Sequence, residues 1–276
     1  MKKLLILCIY LWVSQAAYAN TWINIPAGDF LMGSTPEQIE EGYRISQQGY
    51  AHDGVRVAHW FDGESPQTTA HTKAFRIMQT PVTQAEYAVF INETGHRAPF
   101  VSPKQWQSYH LVHSYNHVKP YLWLDKEVPQ NKANHPVVLV SLDDAQAYAH
   151  WLSKKTGRGL SLPSEKQWEK AMRGDKGYLY PWGNTYRSDY LNNADQTPDG
   201  TLPVGSFPQA ASPYGVLDGA GQVFEWTRDI NNNRATVKGG SWDDHGGVCR
   251  PAAHHQRPIT LKHILIGFRL VDMDTL

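Results

Sequence analysis

The sequence predicts a mixed α+β fold: one irregular domain, low in regular secondary structure. Three observations predict it. Helical periodicity with capping signals ends near Gly174, while strand-like segments are short and scattered along the chain, a pattern unlike alternating βαβ units. The composition includes 10 Trp, 14 Tyr, 22 Gly and 17 Pro, which suits loops packed around aromatic side chains. No long polar or Pro/Ser-rich linker and no internal repeat divides the chain, which favours a single domain.

The N-terminus reads as a secretory signal peptide over residues 1–19, leaving residues 20–276 as the domain. Lys2 and Lys3 give a positive start, Leu4–Val13 is an apolar run too short to span a bilayer, and Ala17-Tyr18-Ala19 is a small-x-small cleavage signal. The expected location is periplasmic or secreted, with no membrane insertion after cleavage. Losing Lys2 and Lys3 leaves 24 basic against 26 acidic side chains, a net charge of −2, so no electrostatic footprint for nucleic acid exists. Losing Cys8 leaves Cys249 as the one cysteine, so stability must come from the core or from metals and not from an internal disulfide.

The elements follow in order. Trp22–Met32 alternates apolar and polar around Pro26-Ala27-Gly28 and predicts strand, turn, strand. Residues 33–64 read as loop with one helix near Glu37–Gln47. Thr69–Met78 alternates and reads as one strand. Thr83 caps a helix over Gln84–Glu93, with Glu86 at capping-box spacing and Gly95 as the stop. The segment 97–133 is long, aromatic and irregular. Its His113 and His117 are four apart, but Ser114-Tyr115-Asn116 between them is poor helix context, so they read as ordinary loop histidines and not as metal ligands. Pro136–Ser141 reads as a buried strand. Ser141 caps a helix over Leu142–Thr156 that ends at Gly157, and Ser164 caps another over Glu165–Arg173. Beyond Tyr178 the chain turns to loops, with candidate strands at Val223–Thr227, Ala235–Gly239 and Ile264–Val271.

The chemistry concentrates in Val237–Arg257. Gly239-Gly240 stand beside Trp242, followed by Asp243, Asp244, His245, Cys249, His254, His255 and Arg257. Imidazoles and carboxylates together can serve as acid and base near neutral pH, or hold a borderline metal such as iron. Adjacent residues on an extended chain face opposite ways, so neither Asp243/Asp244 nor His254/His255 is a pair by default. His245 with one of His254 and His255 is the expected functional pair. Cys249 reads either as a nucleophile or as a small buried hydrophobe.

Nine blocks then stand in a recognisable order: Pro26–Gly33, Pro81–Tyr87, His135–Val138, Leu162–Glu169, Tyr180–Gly183, Tyr214–Asp218, Glu225-Trp226, Gly239–Trp242 and Gly267-Phe268-Arg269. The order resembles the formylglycine-generating enzyme (sulfatase-modifying factor) family across the whole mature chain, in particular its non-copper periplasmic branch typified by a pyoverdine-maturation protein. The resemblance implies a single irregular α+β domain related to C-type lectin-like folds. It also implies structural calcium, in one site from Asp218, Glu225 and the carbonyls of Gly221 and Val223. A second site would use Asn193, the carbonyl of Ala194 and a downstream acid, Asp199 or Asp195. Oxygen ligands from loops suit that hard cation.

Copper-dependent members carry two cysteines after the Gly-Gly-Ser. Counted without gaps from Ser241, those positions fall on Asp244 and Cys249. Counted back from Arg250, three residues are missing and Cys249 falls on a packing position. In either register the two-thiolate copper site is absent. The expected function is an exported tailoring enzyme, oxidative in type, acting on a peptide, protein or secondary metabolite. The alternative is a non-catalytic, calcium-stabilised lectin-like module that binds a peptide, glycan or protein partner, to which the aromatic segment 97–133 would supply contact area. Trp242, Asp244, His245, Cys249, His254, His255 and Arg257 are the residues assigned to chemistry.

Overall fold

The computed structural model describes residues 21–64, 66–196 and 200–274. The signal-peptide segment and Asp199 therefore lie outside the described residues. Three small sheets frame the domain. β1 (Trp22–Ile25) and β2 (Gly28–Met32) form around the Pro26–Ala27 turn as expected, but they separate into different sheets. β2 pairs antiparallel with β3 (Thr68–Thr72), and β1 pairs with β4 (Phe75–Met78). The alternating run Thr69–Met78 is thus two strands and not one, because its halves find different partners.

Between β2 and β3, helix α1 (Pro36–Tyr50) is longer than the sequence pattern suggested. Thr35 and Gln38 close a capping box, and Pro36 at the first helical position needs no N–H partner. A short α2 (Gly54–Val57) follows. Helix α3 (Gln84–Thr94) starts at the Thr83/Glu86 capping box and stops at Gly95, in the left-handed conformation. The 97–133 segment contains two short helices, α4 (Pro103–Ser108) and α5 (Tyr115–Val118). Helix α6 (Leu142–Thr156) runs between the caps read from sequence, and so does α7 (Glu165–Arg173).

Pro136–Ser141 is not a ladder strand. Pro136 forms an isolated bridge with Thr83, and Leu139 takes a left-handed φ of 60°, which breaks the pleat. The Leu139 N–H instead donates to the His263 carbonyl at 3.0 Å. β5 is Leu160–Ser161.

The C-terminal third builds the sheet that carries the site. β6 (Phe224–Asn231) pairs with β7 (Arg234–Lys238), which pairs with β8 (His254–Pro258). β8 was not anticipated from sequence. The run Ile264–Val271 divides into β9 (Ile266–Gly267), parallel to β6, and β10 (Val271–Asp272), which lies between β4 and β5.

The main core gathers Tyr87, Phe90, Tyr148, Trp226, Val237, Trp242 and Phe268 with many aliphatic side chains. Buried ion pairs tie the motif blocks to one another. Arg269 of Gly-Phe-Arg makes two 2.7 Å hydrogen bonds to Glu225 of Glu-Trp. Arg250 donates twice to Glu64 at 2.8 Å, and Glu169 takes both Arg173 and Lys238. Among the described residues no helix is long and apolar enough to cross a membrane.

Candidate functional site

The loop after β7 is a succession of turns. Gly240 has a φ of 72°, and a Cβ there would meet the Cα of Cys249 at 2.7 Å, so the chain can fold back on itself only with glycine. Trp242 follows, held by its N–H to the Gln222 carbonyl at 3.1 Å. Its ring is 8% exposed, yet its indole N–H has no hydrogen-bond partner. Tyr121, from the 97–133 segment, stacks over it with centroids 6.4 Å apart and planes 10° from parallel.

The same segment delivers His113, whose Nε2 lies 3.0 Å from the Asp243 carboxylate. The hydrogen bond to Asp243 raises the His113 pKa against the opposing effect of burial. His263 completes the group, its ring 6.0 Å from His113 and 5.3 Å from Trp106. Burial, with the charges of His113 and Arg257, pushes His263 down to about 3. It is therefore neutral, and its Nδ1 accepts the Leu265 N–H at 3.1 Å, which leaves the proton on Nε2.

The residues assigned from sequence are placed as follows. Asp244 is half-buried, and desolvation raises its pKa to about 6 despite a hydrogen bond from Ser241. Arg257 lies on β8, and its charge acts on both Asp244 and His263. His245 turns away from both. Its ring packs edge-on against Tyr50 at 4.3 Å, lies over Gly49 of α1 where a Cβ would clash at 2.4 Å, and bonds to Asp195.

β8 alternates, so its two histidines diverge. His255 and Arg257 stand opposite Val237 and Ala235 on the main-core face, with His255 edge-on to Trp60 and Phe224. His254 and Gln256 stand opposite Lys238 and Thr236, and His254 reaches Glu165 of α7 at 3.1 Å. The expected pairing of His245 with His254 or His255 is thus not formed: the three rings lie in three environments.

Cys249 is fully buried in a separate cluster with Ile45, Leu179 and Tyr180. Desolvation drives its thiol pKa well above the ordinary value, and the sulfur sits 3.8 Å from the carbonyls of Ser241 and Asp244. A protonated, enclosed thiol is a packing group and a poor nucleophile.

Residues 12–273 match the Sulfatase-modifying factor enzyme 1-like domain family. The chain belongs to this family. It is 30% identical over 274 residues to the inactive C-alpha-formylglycine-generating enzyme 2 of Mus musculus, covering 87% of this chain and 79% of that protein. It is 28% identical over 257 residues to the formylglycine-generating enzyme of Streptomyces coelicolor, covering 81% and 73%. With the hercynine oxygenase of Mycolicibacterium smegmatis it shares 27% over 291 residues, 91% of this chain and 61% of that one. The solved structure of PvdO from Pseudomonas aeruginosa superposes with a TM-score of 0.68 at 23% identity over 91% and 93% of the two chains, a likeness of fold. Family members thus include named oxidising enzymes and one named inactive. Membership settles the α+β fold and leaves activity to the site residues.

The metals implied by the family can be tested against these donors. A two-thiolate copper site does not fit, because one position holds a buried protonated thiol and the ungapped partner position holds the Asp244 carboxyl. Among the described residues no three His, Cys, Asp or Glu side chains gather around a point that could hold a metal, so iron at His245, His254 or His255 does not fit either.

Calcium divides the two remaining sites. At the first, both Glu225 oxygens already receive Arg269, and Trp168 donates to one of them at 2.9 Å, while Asp218 accepts the Gly205 N–H at 2.7 Å. Burial nevertheless raises the Asp218 pKa to about 6, so the protein alone does not compensate this carboxylate. At the second, the side-chain oxygen of Asn193 is buried with no partner among the described residues, an oxygen open to a cation. Asp195 is already engaged by Tyr186, Asn193, Gly246 and His245. Asp199, the other acid expected from the sequence, lies outside the described residues.

Proposed function

We propose that the protein is an exported modifying enzyme of the sulfatase-modifying factor family. It acts on a peptide, protein or small metabolite, in an oxidative reaction that does not use a two-cysteine copper centre. The supporting observation is the His113–Asp243 contact at 3.0 Å, which sets an acid–base pair at the rim of the Trp242 site. A histidine hydrogen-bonded to a carboxylate can take and return a proton near neutral pH, a capacity expected of a catalytic group and unneeded for packing. The relatives named as an oxygenase and a formylglycine-generating enzyme support an oxidative reaction, and the N-terminal sequence pattern supports export. Calcium at Asn193, Ala194 and the Asp199 expected from the sequence would be structural.

A second reading, the lectin-like binding module, draws on the apolar side chains that the 97–133 segment shows to solvent: Phe100 at 44% exposure, Leu124 at 63% and Val112 at 99%. The relative named inactive favours it as well.

The deciding experiment compares metabolites and exported peptides by mass spectrometry in a host strain, its deletion strain, and deletion strains complemented with the unaltered gene or with His113→Ala. The enzyme reading expects a product missing from the deletion, restored by the unaltered gene and not by His113→Ala. Identical profiles in all four strains would favour the binding module.

A further inference from the structure

The Trp242 site is rich in donors that no protein group takes up. Arg257 is half-buried on the core-facing side of β8. It makes a long hydrogen bond, 3.3 Å from Nη1 to the carbonyl of the preceding Gln256. Arg234 donates to that same carbonyl at 2.6 Å, so two guanidiniums converge on one neutral acceptor. Neither forms an ion pair among the described residues, whereas the other half-buried or buried arginines of the fold, Arg76, Arg158, Arg173, Arg250 and Arg269, each meet a carboxylate. Burying an unpaired guanidinium is unfavourable unless an anion later completes it.

One further N–H group faces the same lack: the Trp242 indole N–H is buried without a partner among the described residues. An open cavity of about 360 Å³ shares Trp106 and His113 with the cluster, and its other walls are Pro103, Leu111 and Tyr115 with the polar Gln107, His110 and Ser114. That volume lies within the range of small-molecule sites.

We propose that Arg257 anchors a carboxylate of the substrate, with the Trp242 indole N–H as an additional donor and the apolar or aromatic body of the ligand in the Trp106–Tyr115 cavity. This names the substrate class for the proposed function and rests on reading the Trp242 cluster as its site. A carboxylate suits the place better than a phosphate. Asp243 and Asp244 stand close by, and they would repel a dianion about twice as strongly as the single charge of a planar, bidentate carboxylate. The acid would enter against Arg257 with its apolar part toward Trp106, within reach of the His113–Asp243 pair.

The test is direct binding to the full chain, using N-acetyl-phenylalanine as probe and N-acetyl-phenylalanine amide as its uncharged twin, read by titration calorimetry and saturation-transfer NMR. The acid is expected to bind about tenfold or more tightly than the amide, the size of one charge-assisted contact. Arg257→Gln should bring the acid down to the affinity of the amide, and Arg257→Lys should restore part of the difference. Equal binding of acid and amide to the unaltered protein, or no saturable binding of either at millimolar concentration, overturns the assignment without any variant having to fold. Acid-selective binding together with unchanged metabolite profiles in the deletion strain would leave the anchor standing and sink the enzyme reading. A lost product without acid selectivity would do the reverse.

Discussion

His113 Nε2 and Asp243 Oδ2, 130 residues apart in sequence, meet at 3.0 Å and fasten the 97–133 segment onto the loop after β7. Asp243 raises the His113 pKa above its unfolded value of about 6.5, although burial opposes the rise. A raised histidine pKa means that the contact contributes fully below the unfolded value and is lost as pH rises through the folded one. Asp243→Asn should therefore speed amide exchange across residues 103–121 severalfold in mildly acidic buffer, with the difference shrinking toward alkaline pH. Hydrogen exchange followed by mass spectrometry reads this. An equal difference at every pH would rule out a charged pair.

Asp244 gives the opposite dependence. Desolvation raises its folded pKa to about 6, so above that pH the native state holds a desolvated charge that the unfolded chain solvates freely. Asp244→Asn keeps an acceptor for the Ser241 hydroxyl and removes the charge. The variant should be more stable than the unaltered protein by on the order of 2 kcal/mol above pH 6, a gain that fades as pH falls from 6 toward the unfolded value near 4. Urea midpoints across that window measure it. A variant less stable at every pH would show that the carboxylate is needed structurally.

Much of the local structure was legible because its causes are local. The boxes Thr83/Glu86, Ser141/Asp144 and Ser164/Gln167 fix three helix starts, and Gly95, Gly157 and Gly174 mark their ends. The strands were less legible because partners decide them. Thr69–Met78 and Ile264–Val271 each split where one half leaves for another sheet, and no periodicity records that. β8 was missed because His-His-Gln-Arg-Pro lacks apolar alternation; it is an edge strand held by β7. The site followed the same rule. Within Val237–Arg257, Trp242 and Asp243 meet the 97–133 segment, while the charge of Arg257 acts on Asp244 and His263. His113 and His263 join from distant segments. The cluster of histidines around His113 in an aromatic stretch was the available signal, and the spacing argument read it as a loop. His245 and Cys249 looked chemical by type, but α1 and the third core cluster enclose them.

The Arg269–Glu225 pair joins two motif blocks in the dry interior, with both side chains fully buried. Removing one member leaves the other charge uncompensated. Arg269→Met should destabilise the domain by about 3–5 kcal/mol, and Glu225→Gln by a comparable amount. The double variant Arg269→Met/Glu225→Gln should recover part of the loss, because no lone charge then remains. Denaturant titrations of the three variants form the cycle. Strict additivity would mean that the pair is not coupled.

Cys249 offers a readout of burial that needs no substrate. Its thiol is enclosed and held protonated by desolvation, so a thiol reagent should modify it only when the domain opens. The labelling rate should rise with urea in parallel with global unfolding. Cys249→Ala should cost about 1–2 kcal/mol for the lost packing and leave the metabolite profile unchanged. Fast labelling of the native protein, or a lost product in the alanine variant, would restore the nucleophile reading.

The unpartnered oxygen of Asn193 is the best local argument for calcium, since a buried carbonyl oxygen without a donor is unfavourable and a hard cation removes that penalty. Adding calcium to chelator-treated protein should raise the melting temperature by about 5 °C or more at a hundredfold excess over the dissociation constant, the shift expected from about 2.7 kcal/mol of linkage in a domain of this size. Asn193→Leu fills the same space with no ligand atom and should abolish the response, while Cys249→Ala should keep it. Magnesium should do less, because it accepts a loop of mixed carbonyl and carboxylate oxygens poorly. If calcium leaves the melting curve of the unaltered protein unmoved, the calcium assignment falls, and the Gln222 side chain that bonds both Asn192 and Leu202 needs no ion beside it.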